Sequence, residues 1–154
     1  MQQFRTIHRV RIGVFASLVA LLLIGSIACS RDTPEQALRL QVDALQTAIE
    51  ARNAGDVRDL LAEEFIGNEG LDRRSAHQLA AATFLRHRDI AASIGPVSVD
   101  MRGETEAIAR FSVLATGGSG GLLPDSGQVY HFETGWRVVD GEWKLLNARW
   151  TPNL

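Results

Sequence analysis

The spacing of the apolar residues changes once along this chain. It is helical ahead of residue 88 and alternating from Val97 onward, and no other feature constrains the fold as much. A helix returns its buried stripe every three to four residues and a strand every second one, so the two halves cannot exchange structures. In the first half, Thr33-Pro34-Glu35-Gln36 reads as a capping box with proline at the first helical position, which predicts a helix starting there. Leu38, Val42, Leu45, Ala48 and Ile49 keep one stripe up to Asn53, and Gly55 suits the left-handed position that ends a helix. Asp56 is expected to cap a second, short helix carrying Val57, Leu60 and Leu61, after which Glu63-Glu64-Phe65-Ile66-Gly67 turns extended. Asp72 is expected to cap a third helix over 73–88, with Leu79, Ala82, Thr83 and Leu85 on its apolar side.

In the second half, Val97, Val99 and Met101 predict a strand that turns at Arg102-Gly103-Glu104. A long strand over 106–116 leads into a glycine-rich loop, 117–127, and a last hairpin joins 128–139 to 142–151. Its turn, Asp140-Gly141, is the dipeptide that suits a tight type I′ turn. Three helices followed by a bent antiparallel sheet make an α+β domain.

Ahead of this domain lies a different kind of segment. The whole chain is 45% hydrophobic and 22% charged, ordinary for one soluble domain with something appended. Residues 1–28 run from a basic stretch holding Arg5, Arg9 and Arg11, through an apolar run, to Gly25-Ser26-Ile27-Ala28. That is the order of a secretory signal peptide, and the apolar run is shorter than the ~20 residues of a membrane span. Cys29 follows as the only cysteine, so no disulfide forms within the chain. Ser26-Ile27-Ala28-Cys29 resembles a bacterial lipobox, with Ser26 where leucine is usual. The resemblance implies cleavage before Cys29, acylation of its thiol and amine, and a short tether over 29–33 ahead of a domain over 34–154. The alternative is a plain signal peptide cut after Ala28. Acyl chains would tie Cys29 to a lipid bilayer, and Ser30 in place of aspartate implies, by resemblance to sorted lipoproteins, the periplasmic side of the outer membrane.

Three of the sixteen basic residues fall in 1–28, leaving thirteen against eighteen acidic ones in the remainder. An acidic body without a Lys/Arg run excludes nucleic acid as the expected partner. No His/Cys/Asp group has metal-ligand spacing, and Gly117-Gly118-Ser119-Gly120-Gly121 lies between strands rather than ahead of a helix, so neither a metal nor a nucleotide cofactor is expected.

Ala51-Arg52-Asn53-Ala54-Gly55-Asp56, Leu60-Leu61-Ala62-Glu63-Glu64-Phe65 and the closing Trp136-Arg137-Val138-Val139-Asp140-Gly141-Glu142-Trp143-Lys144 together resemble the nuclear transport factor 2-like superfamily, which includes SnoaL-like cyclases and ketosteroid isomerases. The resemblance implies three helices packed on the concave face of a curved antiparallel sheet, a cone-shaped α+β barrel. It implies little about function, because the superfamily hosts many.

The two-residue turn of the last hairpin sets a register that puts Val138 opposite Trp143, Trp136 opposite Leu145, Gly135 opposite Leu146, Glu133 opposite Ala148 and His131 opposite Trp150. One face then carries His131, Glu133, Gly135, Leu146, Ala148 and Trp150. The resemblance implies that this face lines a ligand pocket, together with Phe65, Asn68 and Glu69. The other face carries Phe132, Trp136, Val138, Trp143 and Leu145, an aromatic patch of the kind that marks an interface, here a homodimer through the back of the sheet.

Ketosteroid isomerase chemistry needs a carboxylate base and two acidic donors for the developing oxyanion. By resemblance the base falls at Glu69, but the donors fall at Ala48 and Gly135, which have none. Losing even one such donor costs roughly 3–4 kcal/mol of barrier, so no complete isomerase constellation is expected. His131 with Glu133 or Glu69 is the remaining catalytic candidate, an imidazole base oriented by a carboxylate. Two readings stay open: a module that binds a small apolar molecule or an envelope protein, and a SnoaL-like isomerase, cyclase or dehydratase that transfers a proton on a small apolar carbonyl compound.

Overall fold

Threonine at position 33 does what the capping box requires: its hydroxyl accepts from the Gln36 amide at 3.2 Å, and the Gln36 side chain accepts from the Thr33 amide at 3.0 Å. The helix it starts, α1 (Pro34–Glu50), opens a computed structural model that describes residues 32–87, 89–118 and 126–153. The signal peptide, Cys29, the first part of the tether and most of the glycine-rich loop lie outside the described residues. Leu38 and Val42 are fully buried and Ala48 nearly so, with Leu45 and Ile49 packed beside them, as the stripe predicts.

The chain reverses differently from expectation. Arg52, not Gly55, takes the left-handed conformation, at φ 54°. Asn53, not Asp56, caps α2 (Ala54–Leu60), its side chain accepting from the amides of Gly55 and Asp56. Asparagine tolerates the extended cap position and reaches the second and third free amides of the new helix, which leaves Asp56 inside the first turn. β1 (Leu61–Ile66) follows, then a single 3-10 turn at Asn68–Gly70. Asp72 caps α3 (Arg73–Arg86) as expected, accepting from the Ser75 amide at 2.7 Å.

β2 (Asp89–Ile94) starts ahead of the expected onset of strand structure, and β3 (Ser98–Met101), β4 (Glu106–Gly118), β5 (Ser126–Val139) and β6 (Glu142–Pro152) complete, among the described residues, six strands in one sheet. The order is β1-β6-β5-β4-β2, with β3 also paired to β4. The sheet is mixed rather than purely antiparallel, because β1 runs parallel to β6. That follows from connectivity: α2 feeds directly into β1, so β1 reaches the sheet edge far from β6 in sequence and free of any hairpin constraint.

Asp140 and Gly141 both have positive φ, 52° and 83°, so the type I′ turn forms and Val138–Trp143 and Trp136–Leu145 pair as expected. Beyond them the register slips. Gly135 pairs with Asn147, Thr134 with Ala148, Phe132 with Trp150 and His131 with Thr151, which leaves Leu146 as an unpaired, bulged residue. Gly135 makes the bulge possible, since a Cβ there would sit 2.6 Å from the Asn147 side-chain nitrogen.

The slip corrects the face assignment. Phe132, Thr134, Trp136, Val138, Trp143, Leu145, Ala148 and Trp150 share one face, and it is the inner one. Together with Ala107, Ala109 and Phe111 of β4 it packs in one core with Leu38 and Val42 of α1. Trp136, Trp143 and Leu145 are 1%, 4% and 4% exposed, so the aromatic face expected at a dimer interface is the interior of the domain. His131 and Glu133 stand on the outer face, apart from Ala148 and Trp150.

Candidate functional site

Inner and outer faces each offer a site, and alternation along β4, β5 and β6 determines which side chains go to each. On the inner wall, Phe111 and Phe132 stack with centroids 5.6 Å apart, Phe132 and Trp150 stack at 5.9 Å, and Tyr130 meets Phe132 edge-on at 6.4 Å. Phe111 is buried, while Tyr130, Phe132 and Trp150 keep part of their rings accessible. Trp150 is held from both sides. The Asn68 side chain donates to the Trp150 carbonyl at 2.8 Å and accepts from the Trp150 amide at 3.3 Å, in the manner of a strand partner. Gly67, next to Asn68, lies under the indole, and a Cβ there would crowd the ring at 3.3 Å. Phe65 of β1 is buried in the same core.

Deeper on the same wall, the Thr134 hydroxyl donates to the Ala109 carbonyl and accepts from the Trp136 indole nitrogen, both at 2.9 Å. Its hydrogen-bonding capacity is used within the core, which leaves no donor aimed at a ligand there. Among the described inward residues of β4, β5 and β6, Tyr130 is the one titratable side chain.

The outer face is polar. Arg110 Nε donates to Glu133 at 2.8 Å, and Ser112 Oγ lies 2.9 Å from His131 Nδ1. With Arg149, Thr151, Pro96 and the three residues of the aromatic row, Phe111, Phe132 and Trp150, these groups line an open depression of about 520 Å³. Ser112 was not legible as a partner of His131 in the sequence. Both positions could be placed on strands, but the register of β4 on β5 depends on a loop whose geometry sequence does not fix. The expected pairing of His131 with Glu133 also fails to form. Glu133 turns to Arg110 instead, whose opposite charge stands directly across the strand pair.

Glu69 joins neither group. It sits in the 3-10 turn at φ 56°, exposed to solvent, and does not line the depression. Ala48 is buried on α1, and Gly135, the second position compared with an isomerase donor, lies on the outer face beside Asn147. Leu146 is the bulged residue and is half-buried. Among the described residues no cluster of His, Cys, Asp and Glu could hold a metal ion, and no helix is long and apolar enough to cross a membrane.

No family model and no curated protein sequence matches the chain. Solved structures do. A candidate dehydratase of the nuclear transport factor 2-like family from Streptomyces avermitilis superposes with a TM-score of 0.67 at 18% identity, covering 79% of this chain and 99% of that one. The domain has the nuclear transport factor 2-like fold. A candidate scytalone dehydratase from Novosphingobium aromaticivorans matches with a TM-score of 0.71 at 18% identity, over 78% of this chain and 84% of its own. A hexachlorocyclohexane dehydrochlorinase from Novosphingobium barchaimii matches at 0.63 and 14%, over 77% and 85%. At these identities the nuclear transport factor 2-like fold is what the chains share.

Proposed function

We propose that this chain is a lipid-anchored binding module of the bacterial envelope whose inner aromatic row holds a small, flat, mostly apolar molecule. The row of Phe111, Phe132 and Trp150, with Tyr130 at its edge, is the observation that carries the reading. Stacked rings that keep a partly accessible flank offer a further ring about 0.5–1.5 kcal/mol per contact beyond simple burial. The candidate bases read from the sequence do not reach that wall: among the described residues, His131 and Glu133 stand on the opposite face and Glu69 is exposed on its turn. The sequence of residues 1–29 supports export, acylation of Cys29 and attachment on the periplasmic side of the outer membrane.

Native mass spectrometry of the full chain released from mild detergent tests this. A small molecule retained by the wild type and lost from Phe132→Ala supports the reading, and an empty protein carrying no added mass favours an envelope-protein partner instead. Labelled palmitate incorporated into the wild type and absent from Cys29→Ser tests the anchor.

A SnoaL-like enzyme is the second reading, favoured by the fold shared with dehydratases and by the Ser112–His131 contact. Turnover of a small carbonyl compound that disappears in His131→Ala would replace the binding reading with this one.

A further inference from the structure

The outer face of β4, β5 and β6 carries two rows of polar side chains that the aromatic wall does not use. Register sets Arg110 opposite Glu133 and Glu133 opposite Arg149. Two residues along, it sets Ser112 opposite His131 and His131 opposite Thr151. Side chains in a row stand about 5 Å apart and the rows about 7 Å apart, so all six fall on one patch, and all six line the open depression.

Donors outnumber acceptors on this patch. Glu133 is engaged by Arg110, and among the described residues Arg149 makes no ion pair, which leaves a surplus positive charge. When the Ser112 hydroxyl donates to His131 Nδ1, the neutral ring carries its proton on Nε2 and becomes a donor itself. Thr151 adds a hydroxyl directly across the strand pair from His131, two residues along β6 from the Arg149 guanidinium.

We propose that this depression binds a soluble phosphate monoester. The Arg149 fork, the His131 Nε2–H and the Thr151 hydroxyl take its oxygens, and the Arg110–Glu133 pair forms the edge of the site. A phosphate has three terminal oxygens for three separate donors, whereas a carboxylate has two, and a planar guanidinium spans two phosphate oxygens at once. Charge complementarity selects the occupant: the patch is a cationic spot on a chain whose formal net charge is −2. Phe111, Phe132 and Trp150, whose rings stack on the inner face, alternate with these polar residues along the same strands and also line the depression.

The test is a titration of the full chain in neutral detergent with inorganic phosphate and with glycerol 3-phosphate, read from the ring ¹H–¹⁵N signals of His131. Saturable shifts are expected with both probes. Arg149→Gln is expected to weaken binding about tenfold or more, and Glu133→Gln to tighten it by removing the competing carboxylate. These side chains are at the surface, so thermal midpoints should stay near the wild type. Absence of saturable shifts, or affinity unchanged by Arg149→Gln, overturns the proposal. Binding to phosphatidic acid vesicles without binding to either soluble probe also overturns it and makes the face a lipid contact.

Discussion

Thr134 shows how a polar side chain earns a place in this core. It is 1% exposed, and its hydroxyl bridges the Ala109 carbonyl and the Trp136 indole N–H. Thr134→Val keeps the shape but leaves the buried indole N–H without an acceptor, so a loss of about 1–3 kcal/mol is expected in urea unfolding. The same change in a Trp136→Phe background should cost much less, because the orphaned donor is gone, whereas a purely steric role would cost the same in both. Asp72 acts by charge at the surface. The Ser75 amide donating to it holds its carboxyl below the ordinary aspartate range. A depressed folded-state value means that the contribution is complete above the unfolded value and disappears as pH falls through the folded one. Asp72→Ala should therefore lower the thermal midpoint at neutral pH, and its difference from wild type should narrow in acid, below the ordinary aspartate range. A difference that persisted there would assign the effect to helix propensity instead of the cap.

At the scale of elements, the sequence is legible where one local rule acts alone and fails where a neighbour decides. The α1 stripe, the Asp72 cap and the Asp140-Gly141 turn each depend on residues within a few positions, and each forms as read. The bulge at Leu146 depends on a residue of the other strand, Gly135, which leaves room for the Asn147 side chain. Its one-residue slip moved His131 and Glu133 away from Ala148 and Trp150 in the candidate site. Helix α3 failed for a related reason. Leu79 and Leu85, expected to face inward, are 49% and 87% exposed, and Ala76 is the residue packed on the core. α3 packs chiefly on α2 and β1, and it meets the core through Ala76 rather than through its leucines. Leu85→Lys should accordingly change stability by no more than about 0.5 kcal/mol in denaturant unfolding, while Ala76→Glu, which places a carboxylate against the core, should cost about 2 kcal/mol or more. Equal costs would mean that Leu85 is packed within the folded chain rather than exposed on α3.

Across the whole molecule, the two faces of one sheet have divided the work, and the division decides how the aromatic hairpin residues should behave. Had the register continued unbroken from the turn, the resemblance would put His131 and Trp150 over the helices and leave Trp136, Trp143 and Leu145 on a bare back surface. The structure buries those three beneath α1 with Leu38 and Val42 and turns the paired charges of Arg110 and Glu133 outward. A residue in a core and a residue in an interface respond oppositely to truncation. In a core, Leu145→Ala removes methyl groups that nothing replaces, so a cost of about 2–5 kcal/mol in unfolding free energy is expected, with the solution mass unchanged at every concentration. In an interface the same change would leave the unfolding of each protomer almost untouched and shift a monomer–dimer equilibrium, seen as a concentration-dependent mass in sedimentation equilibrium. Measuring both quantities on Leu145→Ala separates the two. A stable variant with a weakened dimer would mean that α1 leaves this face in solution. A destabilised chain of unaltered mass would leave the hairpin as the closed back wall against which the aromatic row is built.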